Sequence, residues 1–197
     1  RQDFAKYLAE ITYMDGQVGQ VLDTLKDTGG EGDTIVLFTS EQGSQFPGNK
    51  WTNWNTGIQT ALVARWPGHI PASSKSKEVI CHTDMIATAA AITGQTLPAN
   101  AGEDSYNLLP AFLGKKTKPI REATVHQSSR RYLAIRQGNW KLIPGLGSGG
   151  FSKPSTVQPK KGDPAGQLYN LKNDLGEKTN LYAKRPKIAK RLTALLE

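Results

Sequence analysis

A single cysteine, Cys81, occurs in 197 residues, which excludes an intrachain disulfide framework and any metal site built from several thiolates. Long apolar runs are also missing. No stretch approaches the roughly 20 residues that a membrane span needs, and the opening Arg1-Gln2-Asp3-Phe4-Ala5-Lys6 has no apolar segment of signal-peptide type. That opening reads as mid-domain sequence, with a helical pattern already running by Tyr7. There is no excess of acid: 25 Lys and Arg against 17 Asp and Glu give a net charge of +8. Such a balance favours polyanionic partners through an attraction that salt weakens. The basic residues are spread along the chain, with only small clusters such as Lys115-Lys116 and Lys160-Lys161, which argues against nucleic acid. What is present, 37% apolar and 21% charged residues, is ordinary for a chain that buries a core. The length suits one large domain or one and a half small ones.

Phe4, Tyr7, Leu8, Ile11, Met14, Val18, Val21, Leu22 and Leu25 recur at helical spacing over residues 4–28, and Gly29-Gly30 stops the pattern. Residues 34–39, Thr-Ile-Val-Leu-Phe-Thr, form a short continuous apolar run that reads as a buried strand of a parallel sheet. Residues 61–66 read as a second such strand, ended by Pro67-Gly68, and residues 83–93 as a helix. This order predicts an α/β layered domain over 1–118. Beyond it, residues 123–126, 132–136, 140–143 and 167–171 read as short strands, with Gly138-Asn139 a hairpin turn. Residues 144–166 are rich in Gly, Pro, Ser and Lys and read as a long loop, and residues 186–196 as a terminal helix. The expectation for 119–197 is a small α+β subdomain of antiparallel sheet plus helix.

Thr39-Ser40-Glu41-Gln42-Gly43 follows the first strand directly. Side chains at the carboxyl end of a strand in an α/β sheet face the ligand crevice. There the carboxylate of Glu41 and the amide oxygen of Gln42 suit a hard cation such as calcium; the alternative is a polar turn that merely ends the strand. Lys50, in the loop Gly48-Asn49-Lys50-Trp51-Thr52, suits an anionic group as a compact point charge, or is a solvated surface lysine.

Taken together and in order, these segments resemble the sulfatase family, in particular its arylsulfatase A-like branch within the alkaline phosphatase superfamily. The resemblance runs through Tyr7-Leu8-Ala9 to Asp15, Val18-Gly19 and Leu22, then Thr34-Ile35-Val36 to Gly43, Lys50 and Trp66-Pro67-Gly68. It continues through Asp84-Met85-Ile86-Ala87-Thr88, where Ala87 replaces a proline, and Ala134-Ile135-Arg136 with Trp140-Lys141-Leu142. It ends in Leu168-Tyr169-Asn170-Leu171, Asp174, Gly176-Glu177 and Asn180-Leu181. It implies the C-terminal part of a sulfatase-type α/β/α domain and the subdomain behind it.

The resemblance implies that Glu41 and Gln42 occupy the positions of two calcium ligands, usually Asp followed by Asn or His. Glu is one methylene longer, so the carboxylate or the ion must shift to keep calcium–oxygen distances near about 2.4 Å. It implies that Lys50 contacts the sulfate group and that His126 approaches the substrate, although a structural histidine on a strand is equally compatible with the residues. His82 reads as local packing and His69 as part of a surface turn. Trp51 and Trp54 read as an aromatic wall for a sugar ring or as a cap on the core, the core being preferred for one of them.

Sulfatases use a formylglycine made from Cys or Ser within Cys/Ser-x-Pro-Ser/Ala-Arg, and that motif is absent here. Cys81 is followed by His82-Thr83-Asp84, and Ser152-Lys153-Pro154-Ser155 is followed by Thr156 where arginine is required. The aspartate pair that completes the family's metal site is also missing. The resemblance therefore implies a sulfuric ester hydrolase of aryl or carbohydrate sulfates, of which this chain supplies only part of the active site and is inactive alone. An N-terminal part of the same domain is the implied partner, and the compartment implied is periplasmic, secreted or lysosomal. Two alternatives are a degenerate sulfatase that binds sulfated glycans without turnover and a phosphodiesterase or phosphatase of the same superfamily.

Overall fold

The computed structural model describes residues 2–115 and 118–197; Lys116 of the Lys115-Lys116 cluster lies outside the described residues. The first element, α1 (Gln2–Asp27), starts with Asp3 in its first turn and ends with Lys26 in its last, each charge opposing the local end of the helix dipole. Gly29 adopts a left-handed φ of 73°. That lets Gly29 N–H reach Lys26 O and Gly30 N–H reach Leu25 O, a Schellman stop that satisfies two otherwise unpaired carbonyls. No residue of α1 is buried. Phe4, Tyr7, Leu8, Ile11 and Met14 form an exposed apolar stripe, and Tyr7 meets Phe46 edge-on at 5.6 Å between ring centroids.

The strands β1 (Val36–Thr39) and β2 (Leu62–Arg65) pair with each other antiparallel, Val36 opposite Arg65 and Thr39 opposite Leu62. This corrects the expectation of buried parallel strands. The link between them is not a crossover helix but an irregular segment that carries a single helical turn, α2 (Asn55–Ile58). Both strands are only half-buried, with Leu37 of β1 and Val63 of β2 exposed. Leu37 stands opposite Ala64 and Val63 opposite Phe38, so the two point to opposite faces of the pair. A continuous apolar run signals cover on two faces, and the described residues leave an exposed apolar side chain on each.

A 3-10 turn over His82–Asp84 leads into α3 (Met85–Ile92). Asp84 is fully buried and organises this corner. Its carboxylate accepts Cys81 N–H at 2.7 Å and Tyr106 N–H at 3.0 Å, and it pairs with Arg121. Helix α4 (Leu109–Phe112) follows, its approach fixed by a bond from Leu108 N–H to Thr88 Oγ1 of α3 at 3.0 Å.

Four antiparallel strands, β3 (Thr124–Gln127), β4 (Leu133–Gln137), β5 (Trp140–Pro144) and β6 (Gly166–Asn170), form a sheet in sequential order. The Gly138-Asn139 turn joins β4 to β5, with Gly138 at a left-handed φ of 56°, as its sequence predicts. On one face Ile135, Leu142 and Leu168 pack against Ala189 and Leu192 of α5 (Pro186–Leu196). Pro186 sits in the first turn of α5, where its missing N–H costs nothing. The other face buries Ala134, Ile143, Tyr169 and Leu171 against Trp54, a residue of the link between β1 and β2. The two halves of the chain therefore share a core. Among the described residues no helix is long and apolar enough to cross a membrane.

Candidate active site

Glu41 and Lys50, nine residues apart in sequence, meet in space: Lys50 Nζ lies 2.5 Å from Glu41 Oε2. A fold-back of the chain makes this possible. Lys50 N–H bonds Ser44 O at 3.1 Å, and Asn49 Nδ2 donates to Ser44 Oγ at 2.6 Å. At Gly43, with φ 61°, a Cβ would stand 2.8 Å from Lys50 N and 2.9 Å from Thr56 O, so no other residue fits without moving backbone. The Glu41 side chain is 63% exposed and that of Lys50 only 18%.

The same segment is fastened from behind by the second half of the chain. Asn53 N–H bonds Ser148 O at 3.1 Å, and Asn53 Nδ2 bonds Tyr132 O at 2.8 Å. Gly48 N–H bonds Ser152 Oγ at 2.6 Å, and Trp54 Nε1 bonds Gln167 Oε1 at 3.3 Å. Asn55 N–H donates to the carboxylate of Glu177, which in turn pairs with Lys141. Trp51 has a left-handed φ of 68° and stands against Phe151 at 4.0 Å between centroids, with Lys50 Nζ 5.8 Å from the Trp51 ring. The two tryptophans thus divide the roles left open by the sequence: Trp54 caps the core and Trp51 is exposed.

A cleft of about 680 Å³ opens beside this loop, lined among others by Gln42, Trp51, Cys81, His82, His126 and Arg136. His126 projects from β3 with its Nε2 buried and, among the described residues, without a hydrogen-bond partner. Burial first, then the positive charges of Lys141, Arg136 and Arg121, lower its pKa to about 4. The ring is therefore neutral near pH 7 and free to donate or accept one hydrogen bond. His82, expected to be local packing, lines the cleft, with Nε2 2.6 Å from Thr39 Oγ1 at the end of β1. Cys81 Sγ is 3.0 Å from Thr124 Oγ1. His69 stacks on Trp66 at 4.0 Å in an exposed turn, away from the cleft.

Of the residues singled out in the sequence, the fold brings Gln42, Trp51 and His126 to one cleft and sets the Glu41–Lys50 pair on the loop next to it. Glu41 and Gln42 offer adjacent hard oxygen donors of the kind calcium takes, but calcium takes six to eight. Among the described residues no group of three or more His, Cys, Asp or Glu gathers as a metal site. In donor chemistry the two suit calcium, and they supply two of the oxygens such a site needs. Sequence reasoning missed Arg136 and the Lys141–Glu177 pair. The available signal was a lysine inside the apolar strand Trp140-Lys141-Leu142-Ile143, since a lysine is rarely buried without a partner.

Comparison with known proteins matches the family model "Sulfatase" over residues 1–95. An N-acetylgalactosamine-6-O-sulfatase of Bacteroides thetaiotaomicron is 27% identical over 95% of this chain and 40% of its own length. Human arylsulfatase A is 28% identical over 92% of this chain and 39% of its own. A solved 6S-sulfatase, from work on the metabolism of multiple glycosaminoglycans by Bacteroides thetaiotaomicron, superposes with a TM-score of 0.79 at 28% identity. It covers 93% of this chain and 42% of the solved one. The chain thus spans about 40% of the length of these two curated relatives.

Proposed function

Because this chain belongs to the sulfatase family, we propose that it carries one wall of an active site that hydrolyses sulfate esters. The observation that carries the reading is the Lys50 loop: a half-buried ammonium paired with the Glu41 carboxylate, next to a polar cleft that Gln42 lines. Lys50 binds a sulfate oxygen as a point charge. Neutral His126 takes a hydroxyl of the substrate, and the exposed Trp51–Phe151 pair lies beside a sugar ring. Arg136 adds positive potential within the same cleft, which favours an anionic substrate.

Glu41 and Gln42 would hold calcium together with ligands from outside these residues; when bound, the ion supplies positive charge to the sulfate oxygens. The nucleophile expected of the family, a formylglycine, would likewise come from outside these residues. The partner proposed is therefore the remainder of a sulfatase domain, whose packing would cover the apolar stripe of α1. The compartment proposed is periplasmic, secreted or lysosomal.

A sulfated carbohydrate is the preferred substrate class. Support comes from the name of the 27% identical relative, an N-acetylgalactosamine-6-O-sulfatase, and from the net charge of +8. A second reading, a binder of sulfated glycans without turnover, draws on Glu41-Gln42 in place of the usual Asp-Asn or Asp-His and on the engagement of Glu41 by Lys50. The test is to determine the mass and flanking sequence of the natural protein, then to assay sulfate release from 6-O-sulfated N-acetylgalactosamine. Hydrolysis that disappears in Lys50→Ala supports the enzyme. Retention of the sugar without sulfate release sinks it in favour of the binder.

A further inference from the structure

Lys141 and Glu177 form an ion pair inside the protein, remote in sequence from the Lys50 loop. Their side chains are 0% and 2% exposed, with Lys141 Nζ 2.7 Å from Glu177 Oε1. Lys141 lies on β5 opposite Arg136 and Tyr169. Taking two charges out of water costs more than their attraction returns unless further hydrogen bonds complete the geometry. A pair that serves packing alone is replaced by apolar residues without loss. Here the carboxylate also accepts the N–H of Asn55, the first residue of α2. That turn has no side-chain cap of its own, because Trp54 stands at its N-cap. An acceptor 122 positions away in sequence does the capping instead. Glu177 holds a left-handed φ of 53° to do so, a conformation that persists only where the surroundings enforce it.

Asn55 closes the segment that begins with Lys50 and Trp51. Between them Thr52 N–H and Thr52 Oγ1 both bond Asn49 O, and Gly57 is packed so tightly that a Cβ would meet Thr52 Oγ1 and Asn49 O. The segment is a compact knot, and fixing its end at Asn55 fixes the direction from which Lys50 leaves it. We infer that Glu177 is a positioning residue for the Lys50–Trp51 loop, acting through the Asn55 amide, with Lys141 as its buried counter-charge. The inference rests on the reading that Lys50 binds the sulfate group.

Two double variants of the natural protein separate this role from simple charge pairing. Lys141→Met with Glu177→Gln removes both charges but keeps an oxygen acceptor for Asn55 N–H. Lys141→Met with Glu177→Leu removes both charges and the acceptor; Glu177→Ala replaces leucine if leucine does not fold. Thermal unfolding establishes that each double is folded. Hydrogen exchange of residues 49–58 is then expected to be about tenfold or more faster in the leucine double than in the glutamine double, as leaving one buried N–H without its acceptor allows. Titration with inorganic sulfate is expected to be at least about fivefold weaker in the leucine double. Equal exchange in the two doubles overturns the inference, and so does faster exchange with unchanged sulfate binding. Lys50→Ala keeps the underlying reading separate: if it binds sulfate as well as the wild type, the assignment of Lys50 fails, while the exchange comparison still decides whether Glu177 holds the loop.

Discussion

Lys50 Nζ sits 2.5 Å from the Glu41 carboxylate, so the proposed sulfate-binding cation and the proposed metal-binding carboxylate neutralise each other. With Glu41 63% exposed, the pair is worth at most about 1 kcal/mol. Lys50→Met should therefore tighten calcium binding by no more than about fivefold, because it frees the carboxylate. The same change should lower sulfate ester turnover by about 100-fold or more, since it removes a charge facing the developing negative charge. Glu41→Ala should lose the calcium response. Calorimetric titration with calcium and a sulfate-release assay check both; calcium affinity that falls in Lys50→Met shows that the lysine assists the metal rather than competing with it.

His126 gives the protein an acid-sensitive element. Its pKa is lowered from the ordinary 6.5 to about 4, chiefly by burial. Between those values the unfolded chain takes up a proton that the folded ring refuses. The contribution to stability is therefore complete above pH 6.5 and is lost as pH falls towards 4. The lost amount is about 3 kcal/mol, from about 1.4 kcal/mol per pKa unit. His126→Gln should lack this segment of the acid-side decline, as read by denaturant unfolding at pH 7, 5.5 and 4. An imidazole resonance that titrates near pH 6.5 would falsify this assignment.

The elements legible in the sequence were those written in local periodicity. Residues 133–137 and 140–144 announce themselves by β-rich composition around Gly138-Asn139, and α5 by its spacing and by Pro186. The pairing of β1 with β2 was not legible, because an apolar run records burial and not the direction of its neighbour. Helix α2 is four residues long, too short to show a period. The cleft is built from distant segments, so only the family resemblance, and no local pattern, pointed to Gln42 and His126 facing one space. Glu41 and Lys50 drew attention through resemblance to a family, and their contact is a fact of the fold-back at Gly43. Glu177 lay within the resemblance, but its role as a cap for Asn55 depends on contacts across 122 positions.

The aromatic pair at the cleft depends on one glycine. A Cβ on Gly150 would stand 2.2 Å from Trp51 O and 2.9 Å from Thr52 N, both backbone atoms that cannot step aside. Gly150→Ala should push residues 148–152 off the Lys50 loop and separate Phe151 from Trp51, at a cost of roughly 1–3 kcal/mol. The Trp51 fluorescence should change, and affinity for a sulfated sugar should fall more than affinity for inorganic sulfate. An alanine variant with wild-type stability and an unchanged spectrum would mean that the two loops do not touch in solution.

Asp84 and Arg121 form the anchor beneath the other wall of the cleft, with side chains 0% and 6% exposed. The carboxylate accepts from Cys81 N–H and Tyr106 N–H as well as from the guanidinium, and Arg121 lies 4.4 Å from the Tyr106 ring centroid. Asp84→Asn keeps the shape but turns one acceptor into a donor that faces N–H groups, and it leaves the buried guanidinium without a counter-charge. Breaking one half of such a pair costs about 3–5 kcal/mol, which for a chain of this size lowers Tm by roughly 10 °C. Removing both charges, with Asp84→Asn and Arg121→Met together, should recover part of that loss, because the stranded cation is gone while one acceptor remains. The wall that carries Cys81 and His82 should loosen in the single variant and tighten again in the double. Alkylation of Cys81 by iodoacetamide reads this directly: it should be fastest in Asp84→Asn, and equal rates in all three proteins would show that the ion pair does not hold the wall.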